Sequence, residues 1–130
     1  MTLLSVSKLQ LRYAQTTVLH DIEFTIDGGD TVGLVGESGS GKTQTALALM
    51  GLLPDAATLS GSIVFANQEL RGASTETYNN LRTQRMAMVF QDPSQALNPY
   101  LTIGAQLQRV LLEHKLAAGA AATARVVDML

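Results

Sequence analysis

Apolar and polar residues alternate along two stretches near the start of the chain, residues 9–13 and residues 22–26. A period of two is typical of a strand that buries one face, so both stretches are predicted to be β-strands. The sequence Asp-Gly-Gly-Asp at residues 27–30 then predicts a turn. Residues 31–35 form a more continuous apolar run, which predicts a third strand that is buried on both faces.

Farther along the chain, apolar residues at helical spacing replace the alternation. Residues 46–53 have this spacing, and Pro54 is predicted to end the helix because proline lacks an N–H group. The same criteria predict two more strands and two more helices: strands at residues 62–66 and 86–90, and helices from residue 103 and over residues 122–130.

The composition is that of a globular domain. Of 130 residues, 46% are hydrophobic and 15% are charged, which fits one folded domain rather than a disordered chain. The formal net charge of −2 gives no indication of a basic surface for nucleic acid, and the absence of cysteine excludes disulfides and thiolate metal sites. No apolar stretch approaches the roughly 20 residues that span a membrane, so any membrane association is expected to go through a partner protein.

A glycine-rich segment between the third predicted strand and the following helix matches the pattern G-x-x-x-x-G-K-[ST]. Its residues are Gly36, Glu37, Ser38, Gly39, Ser40, Gly41, Lys42 and Thr43. In such a loop, backbone N–H groups bind phosphate oxygens, and the positive end of the following helix adds to the attraction. The alternative is a glycine-serine connector that carries an exposed lysine.

The side chains at the end of this segment carry the predicted chemistry. Lys42 can reach the β- and γ-phosphates of ATP, and the Thr43 hydroxyl can coordinate Mg²⁺, which prefers oxygen ligands. Gln44, directly after the pattern, is included among the predicted nucleotide-binding residues. Kinases, GTPases and transporters all share such a loop, so other parts of the chain must decide among them.

Three other stretches resemble the ATP-binding subunits of ABC transporters, and most closely the importers of dipeptides, oligopeptides and nickel. They are the strand at residues 9–13, SGSIVFANQEL at residues 60–70 and MAMVFQDPSQALNP at residues 86–99. The resemblance implies that Tyr13 stacks on adenine, with Val18 as a second apolar contact. It also implies a catalytic role for Gln91, which would reach Mg²⁺ or the attacking water. The alternatives are a core tyrosine and a solvated glutamine in an ordinary turn.

The resemblance implies an α/β fold of the P-loop NTPase class, with an antiparallel edge and the start of a helical subdomain. Residues 1–91 would form the nucleotide-binding part, and residues 92–130 the exit from the glutamine loop and the start of the helical subdomain. The implied whole protein is a peripheral ATPase on the cytoplasmic face of the inner (plasma) membrane. It would act with membrane-spanning permease subunits, with a second ATP-binding subunit, identical or different, and indirectly with an external solute-binding protein. No nucleic-acid partner is implied.

Some parts of the family pattern have no match in these 130 residues. The sequence has no Leu-Ser-Gly-Gly-Gln signature and no apolar strand that ends in Asp-Glu, and neither His20 nor His114 resembles the family's switch histidine. We therefore expect the N-terminal portion of an ATP-binding domain, which binds ATP without hydrolysing it. The alternatives are another phosphate-loop enzyme, such as a small kinase, and a nucleotide-binding module that never turns over.

Overall fold

The computed structural model describes residues 1–82 and 84–130. Contacts within these residues divide them into two compact units, Met1–Asn79 and Asn80–Leu130. The first unit contains an antiparallel sheet and the glycine-rich loop, and the second consists of helices and irregular segments. The division predicted between residues 91 and 92 stays a prediction.

Within the described residues, the sheet of the first unit has four strands: β1 (Thr2–Tyr13), β2 (Thr16–Asp27), β3 (Ala57–Phe65) and β4 (Gln68–Glu69). All neighbours are antiparallel, in the order β2-β1-β3-β4. β1 and β2 are joined by a two-residue turn, because Tyr13 pairs with Thr16. The sheet confirms the predicted strands at residues 9–13, 22–26 and 62–66 and the predicted antiparallel edge.

Side chains from three strands form the core of the first unit. Leu9 and Leu11 of β1, Leu19 of β2 and Ile63 of β3 are fully buried, and Leu70, just after β4, joins them. Leu9 and Leu11 are two positions apart, so they lie on the same face of their strand, as the alternation predicts. Burial of each such side chain stabilises the fold by about 1.5–3 kcal/mol relative to exposure.

The hairpin of β3 and β4 is held by the carboxylate of Glu69. It accepts hydrogen bonds from the Ser62 hydroxyl and from the backbone N–H groups of Ile63 and Arg71, both at 2.9 Å. Burial acts to raise the pKa of Glu69, but these hydrogen bonds and the charge of Arg71 outweigh it, so the pKa lies below its ordinary value. The turn at residues 66–67 has positive φ at both positions, as tight hairpins require.

The helix after the glycine-rich loop, α1, spans Lys42–Leu49, and the prediction that it ends only at Pro54 is wrong. The backbone turns at Gly51, whose φ is +61°. A Cβ atom there would lie 2.6 Å from the ring of Tyr78, a residue of α2 (Thr75–Leu81). The left-handed backbone of Gly51, packed against an aromatic ring from another helix, therefore ends α1 before Pro54 is reached.

Two predicted strands do not form. Residues 31–35 and 87–90 have no regular secondary structure, and Met86, the first residue of the second predicted strand, makes only an isolated bridge with Arg82. No strand in the described part of the chain pairs with either segment. Val35 is 94% exposed and Val89 is 87% exposed. An apolar run becomes a strand only where a neighbouring strand satisfies its N–H and C=O groups, and none lies beside these segments among residues 1–82 and 84–130. The first segment instead lines an open apolar groove of about 460 Å³ together with residues of β2 and α1.

Two packed helices form the core of the second unit. A short 3-10 helix at Pro93–Ala96 is followed by α3 (Ile103–Glu113) and α4 (Gly119–Met129), which confirm the two predicted helices. The Thr102 side chain caps α3 by accepting a hydrogen bond of 3.2 Å from the Ala105 N–H. The side chains buried between α3 and α4 are Leu111, Ala122 and Val126. Across residues 1–82 and 84–130, every helix is too short or too polar to cross a membrane.

Candidate nucleotide-binding site

The predicted phosphate loop, residues 36–43, leads directly into α1. Residues 36–40 are exposed, and a turn within them is closed by a hydrogen bond of 3.2 Å from the Ser40 N–H to the Glu37 carbonyl. Gly41 is the N-cap of α1 and accepts a hydrogen bond of 2.8 Å from the Thr45 N–H. The N–H groups of the first three helical residues, Lys42, Thr43 and Gln44, have no acceptor within the helix, so they are available to an anion at this end.

The side-chain ammonium of Lys42 lies inside the loop. Its Nζ atom donates hydrogen bonds to the carbonyl oxygens of Gly36 at 2.8 Å and Glu37 at 2.7 Å, and to Oγ of Ser40 at 3.2 Å. These acceptors are neutral, and no carboxylate among the described residues is within ion-pair distance of Lys42. The loop therefore holds a positive charge without a counter-charge, and an anion is its electrostatic complement.

Two glycines of the loop lie close to side chains, and of these two only Gly41 also has a left-handed backbone. A Cβ atom at Gly36 would lie 2.5 Å from Oγ of Ser40 and 3.9 Å from Nζ of Lys42, so a side chain would intrude on the space around the ammonium. Gly41 has a φ of +93°, and a Cβ atom there would lie 2.5 Å from Cδ2 of Leu19. The sequence analysis missed Leu19, which lies outside the predicted strand at residues 22–26. In the structure it supports the start of α1.

Two threonines at the start of α1 have different surroundings. Thr45 is buried, and its hydroxyl donates a hydrogen bond of 3.0 Å to the Gly41 carbonyl. Thr43 is exposed, so its hydroxyl can reach a ligand at the loop. Among the residues described, no three His, Cys, Asp or Glu side chains cluster as a metal site. A single hydroxyl beside a phosphate loop suits Mg²⁺ that arrives with a nucleotide, because Mg²⁺ takes few protein oxygens and binds substrate phosphates.

Tyr13, at the end of β1, contacts the first turns of α1. Its hydroxyl donates a hydrogen bond of 2.9 Å to Oε1 of Gln44. Val18 of β2 is near the same helix end, since its carbonyl oxygen lies 3.5 Å from the position of a Cβ atom at Gly41. Tyr13 and Val18 are both half-buried, unlike the fully buried core residues of the sheet. The fold thus brings these predicted nucleotide-binding residues together at the N-terminus of α1.

Gln91 belongs to the second unit, where it follows the irregular segment at residues 87–90. It is exposed, and with Phe90, Asp92 and Ala96 it lines an open cleft of about 440 Å³. An exposed glutamine carbonyl is able to meet a ligand. Its predicted role towards Mg²⁺ or water stays a prediction.

The chain is similar to ATP-binding proteins of bacterial peptide transport. It is 44% identical over 117 residues to the oligopeptide transport ATP-binding protein OppD of Salmonella typhimurium, covering 87% of this chain and 35% of that protein. It is 42% identical over 132 residues to OppD of Escherichia coli, covering 98% of this chain and 39% of the relative. It is 38% identical over 133 residues to the dipeptide transport ATP-binding protein DppD of Bacillus subtilis, covering 98% of this chain and 40% of that protein. The chain thus spans about two fifths or less of the length of these relatives.

The family comparison covers most of the chain. The ABC transporter family profile matches residues 19–129, which include the whole phosphate loop, Gln91 and all of α3. This match agrees with the α/β P-loop fold predicted from the sequence, and it disfavours the alternative of a small kinase. The chain therefore belongs to the ABC transporter family.

Proposed function

We propose that the protein containing this chain is the ATP-hydrolysing subunit of an ABC importer. The observation that carries the proposal is the Lys42 ammonium, held inside a glycine-rich loop at the start of α1 without a counter-charge among the described residues. A nucleoside triphosphate supplies the negative oxygens that such a loop binds. The relatives named for oligopeptide and dipeptide transport support peptides, or a related small solute, as the imported cargo.

In this proposal, each part of the site binds one part of the nucleotide. The loop N–H groups and Lys42 hold the phosphates, while Tyr13 stacks on adenine and Val18 adds an apolar contact. Thr43 and Gln91 supply oxygen ligands to Mg²⁺, which neutralises phosphate charge when it is bound. Lys42 stabilises charge on the transferred phosphoryl group and Gln91 orients water, since this chemistry depends on positioning and electrostatics.

The proposed assembly places the ATPase peripherally on the cytoplasmic face of the inner membrane. Membrane-spanning permease subunits form the path of the solute, and a second ATP-binding subunit, identical or different, completes the catalytic site. An external solute-binding protein delivers the cargo and acts on the ATPase only indirectly. Residues 1–91 form the nucleotide-binding part, and residues 92–130 carry the exit from the glutamine loop and the start of a helical subdomain.

Removal of the Lys42 charge tests the nucleotide-binding assignment. Hydrogen bonds to charged groups contribute about 1.5–3 kcal/mol, so Lys42→Ala is expected to weaken ATP binding by about tenfold or more. The affinity is measured by titration with a fluorescent ATP analogue. Lys115→Ala, which removes an exposed lysine of the second unit, is the matched control and is expected to bind like the wild type. Equal affinities of the wild type and Lys42→Ala would refute the assignment.

A further inference from the structure

A hydrogen bond joins two elements that are far apart in sequence at the candidate site. Tyr13 is the last residue of β1, and Gln44 lies in the first turn of α1. The hydroxyl of Tyr13 donates to Oε1 of Gln44 over 2.9 Å, across a separation of 31 residues. No other described residue makes a hydrogen bond to the Tyr13 hydroxyl, so Gln44 alone restrains the outer end of the ring by a polar contact.

The ring of Tyr13 needs such a restraint if it is to serve as a platform. Tyr13 is half-buried and directly precedes a tight turn, in which Ala14 has a φ of +50°. Packing therefore covers only part of the ring. A side chain that loses rotamer freedom when a ligand binds weakens that binding, whereas a ring held in place beforehand avoids the cost.

Gln44 is well placed to hold the ring because the start of α1 is itself restrained. Gly41 is packed against Leu19, and Thr45 donates to the Gly41 carbonyl through both its N–H and its hydroxyl. Gln44 follows Lys42 by two residues, so the same helical turn that presents the ammonium to the loop also presents an acceptor to Tyr13. A fixed helix can thus set the position of the ring relative to the phosphate loop.

We propose that Gln44 is a positioning residue for the base-binding ring: it holds Tyr13 in the orientation that stacks on the base of a nucleotide. The proposal rests on the proposed ATP-binding function and deepens it, because it assigns Gln44 to the base rather than to the phosphates. It follows that Gln44 contributes to the affinity for ligands that carry a base and does not contribute to the affinity for a bare triphosphate chain. The Tyr13 hydroxyl then contributes to affinity only through Gln44.

Affinities for ATP and for inorganic tripolyphosphate, measured on the same chain by calorimetric titration, test this role. The variants are Gln44→Met, which keeps the length of the side chain without the acceptor, Tyr13→Phe, which keeps the ring without the hydroxyl, and the double variant. Each single change is expected to weaken ATP binding by about two- to tenfold, the effect of one lost hydrogen bond. Tripolyphosphate binding is expected to stay unchanged, and the double variant is expected to bind ATP as well as either single variant.

Two further variants keep the test decisive. Gln44→Glu retains an oxygen acceptor for Tyr13, so the ratio of ATP affinity to tripolyphosphate affinity should stay at the wild-type value, although the added charge weakens both. Gln68→Met, at an exposed position of β4, is the matched control and should change neither affinity. A variant that fails to fold would lose tripolyphosphate binding, so the second ligand also reports on folding.

Three results would overturn the proposal. An equal loss of ATP and tripolyphosphate affinity in folded Gln44→Met would mean that Gln44 contacts phosphate. Multiplied losses in the double variant would mean that Tyr13 and Gln44 act independently, and unchanged ATP affinity in Gln44→Met would mean that the hydrogen bond has no role. A wild-type chain that binds neither ligand would instead refute the proposed function, which is a different outcome.

Discussion

Two side chains at the candidate site are suited to different parts of a nucleotide. Lys42 presents a charge that is satisfied only by neutral acceptors, which suits phosphate. Tyr13 presents a half-exposed ring whose hydroxyl is occupied by Gln44, which suits a planar base. The Lys42 ammonium and the Tyr13 ring lie at the same end of α1, so a single ligand that carries phosphates and a base can contact both of them.

Truncation of the Tyr13 ring is therefore expected to weaken ATP binding. Stacking of an aromatic ring on a base contributes about 1–3 kcal/mol, and Tyr13→Ala should lose most of it. Titration with a labelled ATP analogue measures the change. Tyr100→Ala is the control, because Tyr100 is 93% exposed in the second unit and has no predicted contact with nucleotide. The stacking role would be contradicted if Tyr13→Ala bound ATP as tightly as Tyr100→Ala.

Glu69 makes the stability of the first unit depend on pH. Its folded pKa is lowered, so its contribution is fully present above the unfolded pKa and is lost as the pH falls through the folded pKa. Glu69→Gln is expected to lower the melting temperature at pH 7. The difference from wild type should shrink on acidification below about pH 4.5, the ordinary pKa of glutamate. Thermal unfolding followed by circular dichroism at pH 7 and at pH 3 measures this.

The control for Glu69 is Glu23→Gln, since Glu23 is exposed on β2 and its side chain makes no hydrogen bond to a described residue. It should change the melting temperature little at either pH. A deficit of Glu69→Gln that is as large at pH 3 as at pH 7 would show that the charge of the carboxylate is not what holds the hairpin.

At the scale of elements, the ends of helices depend on particular residues. α3 begins at Ile103, directly after Thr102, whose side chain caps the helix. α1 ends at Leu49, and the chain turns away at Gly51, where the left-handed backbone and the nearby ring of Tyr78 leave room only for glycine. Tyr78 is itself held by a hydrogen bond of 3.1 Å from its hydroxyl to the Leu70 carbonyl.

Gly51→Ala is expected to destabilise the first unit by at least about 2 kcal/mol, because it adds a left-handed strain and a clash with a buried ring. The free energy of unfolding is measured by urea titration. Gly28→Ala is the matched control: its Cβ atom would meet nothing within 4 Å, and its φ is not positive. The structural account of this helix end would be wrong if the two variants were equally stable.

At the scale of the whole molecule, the chain carries the loop, the lysine and the ring that are predicted to bind a nucleotide, but no residue that resembles the family's catalytic base. Hydrolysis requires a group that orients and deprotonates water beside the terminal phosphate. In the family pattern that group is the glutamate of an Asp-Glu pair after an apolar strand, and the 130 residues contain no such pair.

The 130-residue chain is therefore expected to bind Mg-ATP without releasing phosphate above background. Binding and phosphate release are measured on the same purified sample, with Lys42→Ala as the control for contaminating ATPase. Phosphate release that is clearly above background and disappears in Lys42→Ala would contradict the prediction. It would show that a catalytic group lies within these residues.

The sequence by itself determined the features whose causes are local. The phosphate loop at residues 36–43, the hairpin strands and the start of α3 depend on glycines, alternation and a capping residue within a few positions of one another. Tertiary structure alone decided that residues 31–35 and 87–90 are not strands, that Tyr78 helps to end α1, and that Tyr13 meets Gln44. A strand forms only beside a second strand, and a side-chain contact forms only with a second side chain. In these cases folding brings the two together from positions tens of residues apart, which the local hydrophobic periodicity does not predict.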